Sequence, residues 1–261
     1  MTKALISLHD VGKRYKNGTV ALANFELVVR AGEFLTLLGP SGCGKSTALR
    51  LMAGLEKPSS GRVERGLPSK AGSIGFVFQE PTLMPWARIN ENVFLPLRLQ
   101  GVSTRAARLR VEEVLALVGL EAFGKAYPRE LSGGMRMRVS IARALVLRPA
   151  LLLMDEPFAA LDEITRFRLN DDLLRLKKEL ATTIVFVTHS VYESVYLSTQ
   201  VVVMGAQAGR IVAEIPIDPD LPRTPDLRVS ATYLDMCQRA SQALAGATSK
   251  MLPQDGREKS A

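Results

Sequence analysis

Hydrophobic and polar residues alternate near the start of the chain, as they do in half-buried β-strands. Residues 4–8 alternate in this way, Lys16-Asn17-Gly18 is a turn signal, and residues 20–29 return to extended, β-branched sequence. Two strands joined by a short turn pair in an antiparallel sense. We therefore expect the chain to open with an antiparallel β subdomain.

Short runs that are apolar throughout follow from residue 34 onwards. A strand, a glycine loop and a helix begin at Phe34, and later apolar runs cover residues 74–78, 151–154, 184–187 and 201–204. Continuous apolar runs are typical of strands covered on both faces, and helical stretches between them favour parallel pairing. The sequence thus predicts an α/β fold with a parallel core sheet.

A mostly helical block, residues 89–148, lies between two of these strands. Ser103 is suited to cap a helix and Gly119 to end one. One apolar face of that helix joins Val111, Val114, Leu115 and Val118. We expect this block to form an inserted α-helical subdomain. A further helix, over residues 163–180, carries a core-facing stripe of Leu169, Leu173, Leu176 and Leu180.

The character of the sequence changes after Ile217. Prolines at positions 216, 219, 222 and 225 predict a linker-like segment, and residues 232–244 predict one peripheral helix. No internal repeat is visible. We divide the chain into a domain of residues 1–217 and a C-terminal extension of residues 218–261.

Composition narrows the class of protein. Apolar residues make up 47% of the 261 residues, which suffices for a core. No run approaches the roughly 20 apolar residues of a membrane-spanning helix, and no secretory signal is recognisable, so a cytosolic protein is expected. Cys43 and Cys237 are expected to be free thiols. The net charge of +8 is scattered without a nucleic-acid-binding motif, so we do not expect a nucleic acid partner.

A glycine-rich loop stands between a predicted strand and a predicted helix. The stretch Gly39-Pro40-Ser41-Gly42-Cys43-Gly44-Lys45-Ser46-Thr47 contains the phosphate-binding pattern G-x-x-x-x-G-K-[ST]. Glycines let backbone N–H groups turn toward phosphates, and the helix start adds its positive dipole end. We expect Lys45 to reach the β- and γ-phosphates and Ser46 to bind Mg²⁺. Cys43 lies in this loop, so its alkylation is expected to block nucleotide binding.

Two other strand ends carry candidate polar groups. Asp155 and Glu156 follow the apolar run 151–154. Asp155 is predicted to hold Mg²⁺ and Glu156 to polarise an attacking water. His189 ends another strand, where it would contact the γ-phosphate or orient that water, although a lone histidine is more often structural. Lys45, Glu156 and His189 are therefore the candidate catalytic residues.

Phosphate loops occur in several enzyme classes, and a second motif separates them. The stretch Leu131-Ser132-Gly133-Gly134-Met135 resembles the LSGGQ signature of ATP-binding cassette (ABC) proteins, and an arginine-rich helix follows it. Tyr15, Gln79 and the run Ala160-Leu161-Asp162 stand where that family has its adenine-stacking residue, its Q-loop and its D-loop. The resemblance covers roughly residues 7–216. It departs from the family pattern at Met135, Ala159 and Ser190.

The resemblance implies a P-loop NTPase (RecA-like) fold and an ATPase that uses ATP and Mg²⁺. Tyr15 would stack on adenine, although an ordinary strand tyrosine is a strong alternative. Gln79 would contact both nucleotide and Mg²⁺, and Asp162 would lie beside the nucleotide. In this family Ser132, Gly133 and Gly134 bind the γ-phosphate held by a second subunit. The chain is therefore expected to form a head-to-tail homodimer around two ATP molecules.

The same resemblance implies integral-membrane permease subunits as partners. Residues 78–86, followed by 90–93, are similar to the importer branch for nitrate, sulfonate, taurine and related solutes, and Pro85 and Trp86 would shape the permease-facing surface. A peripheral location on the cytoplasmic face of the inner membrane follows, with a periplasmic or extracellular solute-binding protein as an indirect partner. The alternatives are a soluble ABC ATPase acting on nucleic acid or ribosomes, and a small-molecule kinase.

Overall fold

A computed structural model describes residues 3–67, 72–206 and 208–249. Within these ranges the strands are Ala4–Arg14 (β1), Val20–Arg30 (β2), Phe34–Leu38 (β3), Ser60–Arg65 (β4), Ile74–Val77 (β5), Leu151–Asp155 (β6), Thr183–Thr188 (β7), Gln200–Met204 (β8) and Ile211–Pro216 (β9). The α-helices are Lys45–Ala53 (α1), Ile89–Leu99 (α2), Thr104–Leu117 (α3), Gly133–Leu145 (α4), Glu163–Leu180 (α5), Val191–Leu197 (α6) and Ala231–Ser249 (α7). Residues 250–261 of the predicted C-terminal extension lie outside the described residues.

The larger sheet has the strand order β5-β6-β7-β3-β8-β9. The strands from β5 to β8 pair in parallel, and β9 runs antiparallel to β8. Leu37 of β3 and Asp155 of β6 both pair with Val187 of β7. The carboxyl ends of three adjacent strands therefore lie level at one edge of the sheet. The glycine-rich loop, Glu156 and His189 follow these ends directly.

The smaller sheet is antiparallel, with the strand order β2-β1-β4. It confirms the predicted N-terminal β subdomain. Sequence analysis placed no strand at β4 or at β9. In β4 every side chain except Val63 is exposed, so the strand has no apolar run and is held by pairing with β1.

Apolar side chains pack on both faces of the larger sheet. In β3, Phe34 and Leu38 point into a core shared with helices α2 to α7, whereas Leu35 and Leu37 point into a core shared with β1, β2 and α1. Full burial of a large aliphatic side chain contributes about 1.5–3 kcal/mol relative to exposure. Both faces therefore fix the position of β3 and of the loop after it.

The helical block contains α2, α3 and α4. Ser103 caps α3 as predicted, because its Oγ accepts a hydrogen bond of 3.3 Å from the backbone N–H of Ala106. Gly119 follows the helix with φ +68°. The predicted apolar face is buried at Val111, Val114, Leu115 and Val118.

The C-terminal extension is more ordered than its prolines suggest. Helix α7 is longer than the predicted helix over residues 232–244, and Tyr233, Cys237 and Ala240 are buried in the core that faces α6. The Tyr233 hydroxyl donates a 2.9 Å hydrogen bond to the carbonyl oxygen of Tyr192 in α6. The predicted helix thus packs on the domain through buried side chains. Within the described ranges, no helix has the length and apolar character needed to cross a membrane.

Candidate active site

The glycine-rich loop joins β3 to α1 and leaves the first turn of that helix open. Gly44 has φ +102°, and a Cβ at this position would clash with the carbonyl oxygen of Ala21, so only glycine fits. Gly44 also precedes α1 without a side-chain cap. The first N–H groups of the helix therefore remain available for an anion. The other predicted loop residues, Gly39, Pro40, Ser41, Gly42 and Thr47, belong to the same turn and helix start.

The three predicted catalytic side chains lie in one chain of contacts. Lys45 is 4% exposed, and its Nζ donates 2.8 Å hydrogen bonds to the carbonyl oxygens of Gly39 and Pro40. Its Nζ also lies 3.4 Å from Glu156 Oε1, and His189 Nδ1 lies 3.0 Å from Glu156 Oε2. The carboxylate thus stands between an ammonium group and an imidazole. This arrangement suits a group that accepts a proton beside phosphate oxygens.

The backbone of Glu156 turns sharply where β6 ends. Its φ is +44°, an uncommon value for a residue with a side chain, and its N–H donates a 3.0 Å hydrogen bond to the carbonyl oxygen of Val187. This bond ties Glu156 to the neighbouring strand. The left-handed turn thereby places the carboxylate between Lys45 and His189.

The two predicted Mg²⁺ ligands from the loop and from β6 contact each other directly. Ser46 Oγ donates a 2.8 Å hydrogen bond to Asp155 Oδ1. Burial raises the pKa of Asp155, and the Ser46 hydroxyl opposes that rise. Hydroxyl and carboxylate oxygens fit Mg²⁺, which takes one or two protein ligands together with phosphate oxygens and water. Ser46 and Asp155 would hold the ion, and the bound ion would neutralise phosphate charge.

Cys43 lies under the loop instead of at its surface. Its side chain is 2% exposed, and burial raises the pKa of the thiol. Reaction requires the thiolate. The expected effect of alkylation on nucleotide binding stays a prediction, and the structure adds that the folded loop shields the sulfur.

Tyr15 lies beside the first turn of α1. Its hydroxyl contacts Thr47 Oγ1 at 3.2 Å and donates to the Glu56 carboxylate at 3.1 Å. Lys13 Nζ lies 5.2 Å from the centre of the tyrosine ring. The ring is thus anchored next to the glycine-rich loop, and its adenine-stacking role stays a prediction.

The signature stretch forms the start of α4. Ser132 is exposed, and its Oγ accepts a 3.3 Å hydrogen bond from the N–H of Met135. A Cβ at Gly134 would lie 2.8 Å from Thr165 Cγ2, so this glycine lets α4 begin close to α5. A Cβ at Gly133 would lie 3.5 Å from Leu161 of the D-loop. The signature and the D-loop are therefore neighbours within one chain.

Three other predicted nucleotide contacts lie apart from the catalytic group. Asp162 caps α5 by accepting a 2.9 Å hydrogen bond from the N–H of Thr165, and Gln79 is exposed beyond β5. In the described part of the chain, no hydrogen bond or ion pair joins Ser132, Asp162 or Gln79 to Lys45, Ser46, Asp155, Glu156 or His189. The structure thus brings together one part of the predicted site, while Ser132 of the signature is exposed and makes no polar contact with it.

Arg143 was not predicted as a functional residue, and it binds the segment after Gln79 through hydrogen bonds. Arg143 lies in α4, and its guanidinium donates to the carbonyl oxygens of Pro81 and Thr82 at 2.9 and 2.8 Å. Pro81 and Thr82 are 62 and 61 residues away from Arg143 in sequence. The arginine-rich character of α4 was the available signal, but it does not identify the partners.

Comparison with known proteins identifies the family. The ABC transporter family model matches residues 22–159, more than half of the chain. The chain belongs to the ABC transporter family. An uncharacterized ABC transporter ATP-binding protein of Methanocaldococcus jannaschii, MJ0412, is 46% identical over 222 residues, covering 84% of this chain and 82% of its own length. The aliphatic sulfonates import ATP-binding protein SsuB of Bacillus subtilis is 45% identical over 213 residues, covering 79% of this chain and 82% of its own.

Solved structures give the same result for this ABC ATPase. A dimeric post-hydrolysis structure of the ATP-binding cassette MJ0796, bound to ADP and Pi, aligns with a TM-score of 0.72 and 35% identity over 81% of this chain and 98% of that one. The cbiO1 protein of Clostridium perfringens, part of the ABC transporter complex cbiONQ, aligns with a TM-score of 0.75 and 27% identity over 92% and 99%. The predicted P-loop NTPase fold and the predicted ATPase activity are confirmed.

Proposed function

We propose that this ABC ATPase is the energy-supplying subunit of an importer for a small solute of the sulfonate, taurine or nitrate type. It works as a head-to-tail homodimer with two Mg²⁺-ATP molecules at the interface, bound to integral-membrane permeases on the cytoplasmic face of the inner membrane. A periplasmic or extracellular binding protein delivers the solute. The SsuB proteins, named for aliphatic sulfonate import, support this solute class.

One observation carries the proposal of a shared site. At the strand ends of one chain, Ser46 contacts Asp155, and Glu156 contacts Lys45 and His189, whereas Ser132 is exposed at the start of α4. A helix N-terminus beside two glycines is suited to hold a phosphate. A second copy turned head to tail would bring its Ser132 to the phosphates held at Lys45. Each site would then combine residues of both copies.

The roles within one site follow from the contacts. Lys45 and the first N–H groups of α1 hold the β- and γ-phosphates. Glu156 orients a water molecule and accepts its proton, and His189, at 3.0 Å from the carboxylate, fixes Glu156 and faces the same phosphate. Gln79, exposed beyond β5, would link this site to the permease-facing surface. Positioning and charge stabilisation supply most of the rate enhancement in reactions of this kind.

An exposed groove that begins in the segment after Gln79 supports the proposed permease contact. Trp86 is 78% exposed and borders this groove of about 620 Å³, which runs along α2. Its lining combines apolar side chains, Met84, Trp86, Phe94 and Leu95 among them, with the polar side chains of Glu91, Arg98, Ser103 and Thr104. A groove with both apolar and charged side chains and an exposed tryptophan is suited to receive a short amphipathic helix. Arg143 holds the segment after Gln79 against α4. A movement of the groove would therefore be transmitted to both nucleotide sites, through Gln79 to one and through the signature at the start of α4 to the other.

The shared site is tested by mixing two inactive variants. Lys45→Ala removes the phosphate-binding amine, and Ser132→Arg blocks the signature. Random mixing of equal amounts gives one intact composite site in about half of the dimers, so turnover of about a quarter of wild type is expected from statistics alone. Each variant alone should remain inactive.

The matched control is Ser103→Arg, which breaks a helix cap with the same 3.3 Å geometry outside the proposed dimer interface. Ser103 lines the Trp86 groove, so this control applies to turnover of the isolated dimer, without permease. It should cost about 1 kcal/mol of stability and leave turnover intact. A mixture that stays inactive, or a monomer that hydrolyses ATP at the wild-type rate, contradicts the shared site.

The permease contact has a separate test. The wild-type chain, solubilised from its native membranes in detergent, should co-purify with a hydrophobic multi-span protein, and Trp86→Glu should abolish this. Recovery of salt-sensitive nucleic acid with the wild-type chain would instead favour the soluble class of ABC ATPase.

A further inference from the structure

Helix α6 contains a buried carboxylate that plays no part in the catalytic contacts described above. Glu193 is 6% exposed, and burial raises the pKa of its carboxyl group. Burying a carboxylate costs several kcal/mol unless it is paired and hydrogen-bonded. The residues that contact Glu193 therefore indicate its role.

The first partner is the residue immediately before His189. Thr188 Oγ1 donates a 2.6 Å hydrogen bond to Glu193 Oε2. The same hydroxyl accepts a 3.0 Å hydrogen bond from the N–H of Ser190, and Ser190 Oγ accepts one of 3.3 Å from the N–H of Glu193. These three bonds close a ring around the turn that presents His189.

The second partner comes from α5. Arg166 Nε lies 3.5 Å from Glu193 Oε1, and Arg166 Nη2 donates a 3.0 Å hydrogen bond to the carbonyl oxygen of Leu161 in the D-loop. The guanidinium is about one quarter exposed, so it neutralises the buried carboxylate at the edge of the core. The Arg166–Glu193 pair thus joins the D-loop to the turn before His189.

We propose that Glu193, with Arg166 as its counter-ion, is a positioning residue that holds His189 against Glu156. This inference rests on the proposed role of His189. A bare turn of three residues has several accessible conformations, and the ring of hydrogen bonds selects one of them. A misplacement of about 1 Å at a reacting group can lower a rate by two orders of magnitude.

The main test replaces the pair by apolar side chains of similar size. Exchanging a buried ion pair for apolar residues is often neutral or stabilising, so Arg166→Met/Glu193→Leu should fold with a Tm close to that of wild type. We expect its kcat to fall about tenfold with KM for ATP unchanged within about twofold, because phosphate binding at Lys45 is untouched. Asp172→Asn is the matched control. It breaks the 2.6 Å ion pair between α4 and α5 and should retain wild-type kcat.

A second pair of variants isolates the hydroxyl of Thr188. Thr188→Val removes the bond to Glu193 and should reproduce the tenfold loss, whereas Thr188→Ser keeps the hydroxyl and should retain most of the activity. If the double variant does not fold, this pair decides the question alone. Equal kcat values for the valine and serine variants would overturn the proposal.

The position of the imidazole can be observed directly. The chain has two histidines, so in a His9→Gln background the only imidazole NMR signals are those of His189. These signals should move in Arg166→Met/Glu193→Leu and stay unchanged in Asp172→Asn. Wild-type kcat together with unmoved signals in the double variant would refute the positioning role.

A different set of activities is expected if the proposed role of His189 is itself wrong. If His189→Ala keeps wild-type turnover, the role proposed for His189 falls, and the role of Glu193 falls with it. If His189→Ala is inactive while the Glu193 and Thr188 variants are normal, only the positioning role is wrong.

Discussion

Replacing Glu156 by glutamine removes one negative charge from the centre of the site and keeps the shape of the side chain. The carboxylate is 17% exposed and contacts Lys45 at 3.4 Å and His189 at 3.0 Å. The carbonyl oxygen of glutamine can still accept from Lys45 and its NH2 group can donate to the His189 ring nitrogen, but glutamine cannot take a proton from water. The substitution therefore separates proton acceptance from the packing of the site.

The effect of Glu156→Gln can be estimated separately for ATP hydrolysis and for ATP binding. Loss of a positioned general base lowers turnover by roughly 10²- to 10⁴-fold. Two unit charges about 4 Å apart attract by about 4 kcal/mol at an effective dielectric constant of 20, most of which desolvation cancels. When the negative charge beside Lys45 is removed, the Lys45 ammonium group attracts a phosphate anion at least as strongly as before. ATP should thus bind Glu156→Gln at least as tightly as wild type.

The measurement compares phosphate release at saturating Mg²⁺-ATP with the Kd of a fluorescent ATP analogue. Glu112→Gln, an exposed carboxylate in α3, is the matched control and should leave both values unchanged. Glu156→Gln turnover above about one tenth of wild type would refute the assignment of Glu156 as the base. A large increase in Kd would show instead that Glu156 serves nucleotide binding.

Three further predictions concern the loop, the metal ligands and α7. Burial raises the pKa of Asp155 above its usual value near 3.9, so the stability it contributes is fully present below pH ~3.9 and is lost as pH rises through the raised pKa. Asp155→Asn should therefore have a Tm at pH 7 no lower than wild type and lose Mg²⁺-dependent hydrolysis; a large drop in Tm would contradict this. Cys43 is buried with a raised thiol pKa, so in a Cys237→Ser background maleimide should label the native protein far more slowly than the protein in guanidinium, and the fully labelled protein should not bind ATP. Equal labelling rates would show an open loop. Tyr233→Phe removes the hydrogen bond to Tyr192, which contributes about 1 kcal/mol, so Tm should fall by about 2–4 °C with kcat unchanged. A fall in kcat would mean that α7 acts on the turn that presents His189.

The parallel core was predictable because its strands are buried on both faces and appear in sequence as apolar runs. The structure has β6, β7 and β8 at the predicted runs. In contrast, β4 is mostly exposed and gains its place through pairing with β1, which no local pattern records. The packing of α7 was missed for a related reason, since the prolines before it mark local turns and say nothing of the buried Tyr233 and Cys237.

The site was predictable where its residues are contiguous. The glycine-rich loop and the signature each lie in one stretch, so their roles could be predicted, from the order of residue types for the loop and from the family resemblance for the signature. The contacts between stretches were not readable, because Ser46 and Asp155 are 109 residues apart and are joined only by the sheet. Arg166 belongs to α5, whose leucine stripe predicted core packing alone, and Glu193 belongs to α6, where no helix was predicted. A buried ion pair between two helices is not encoded in any short sequence motif.

The strands β3, β6 and β7 end at the same level of the sheet, and this limits where the chain can tolerate insertions. Apolar side chains inside the sheet hold the pairing of Leu37, Asp155 and Val187. Added residues in the surface connections of the helical block would leave those pairings intact. One added residue between a strand end and its reactive side chain would shift that group by about 3.3 Å, as far as the whole contact between Lys45 and Glu156. We therefore expect the chain to tolerate length changes only in segments away from this edge.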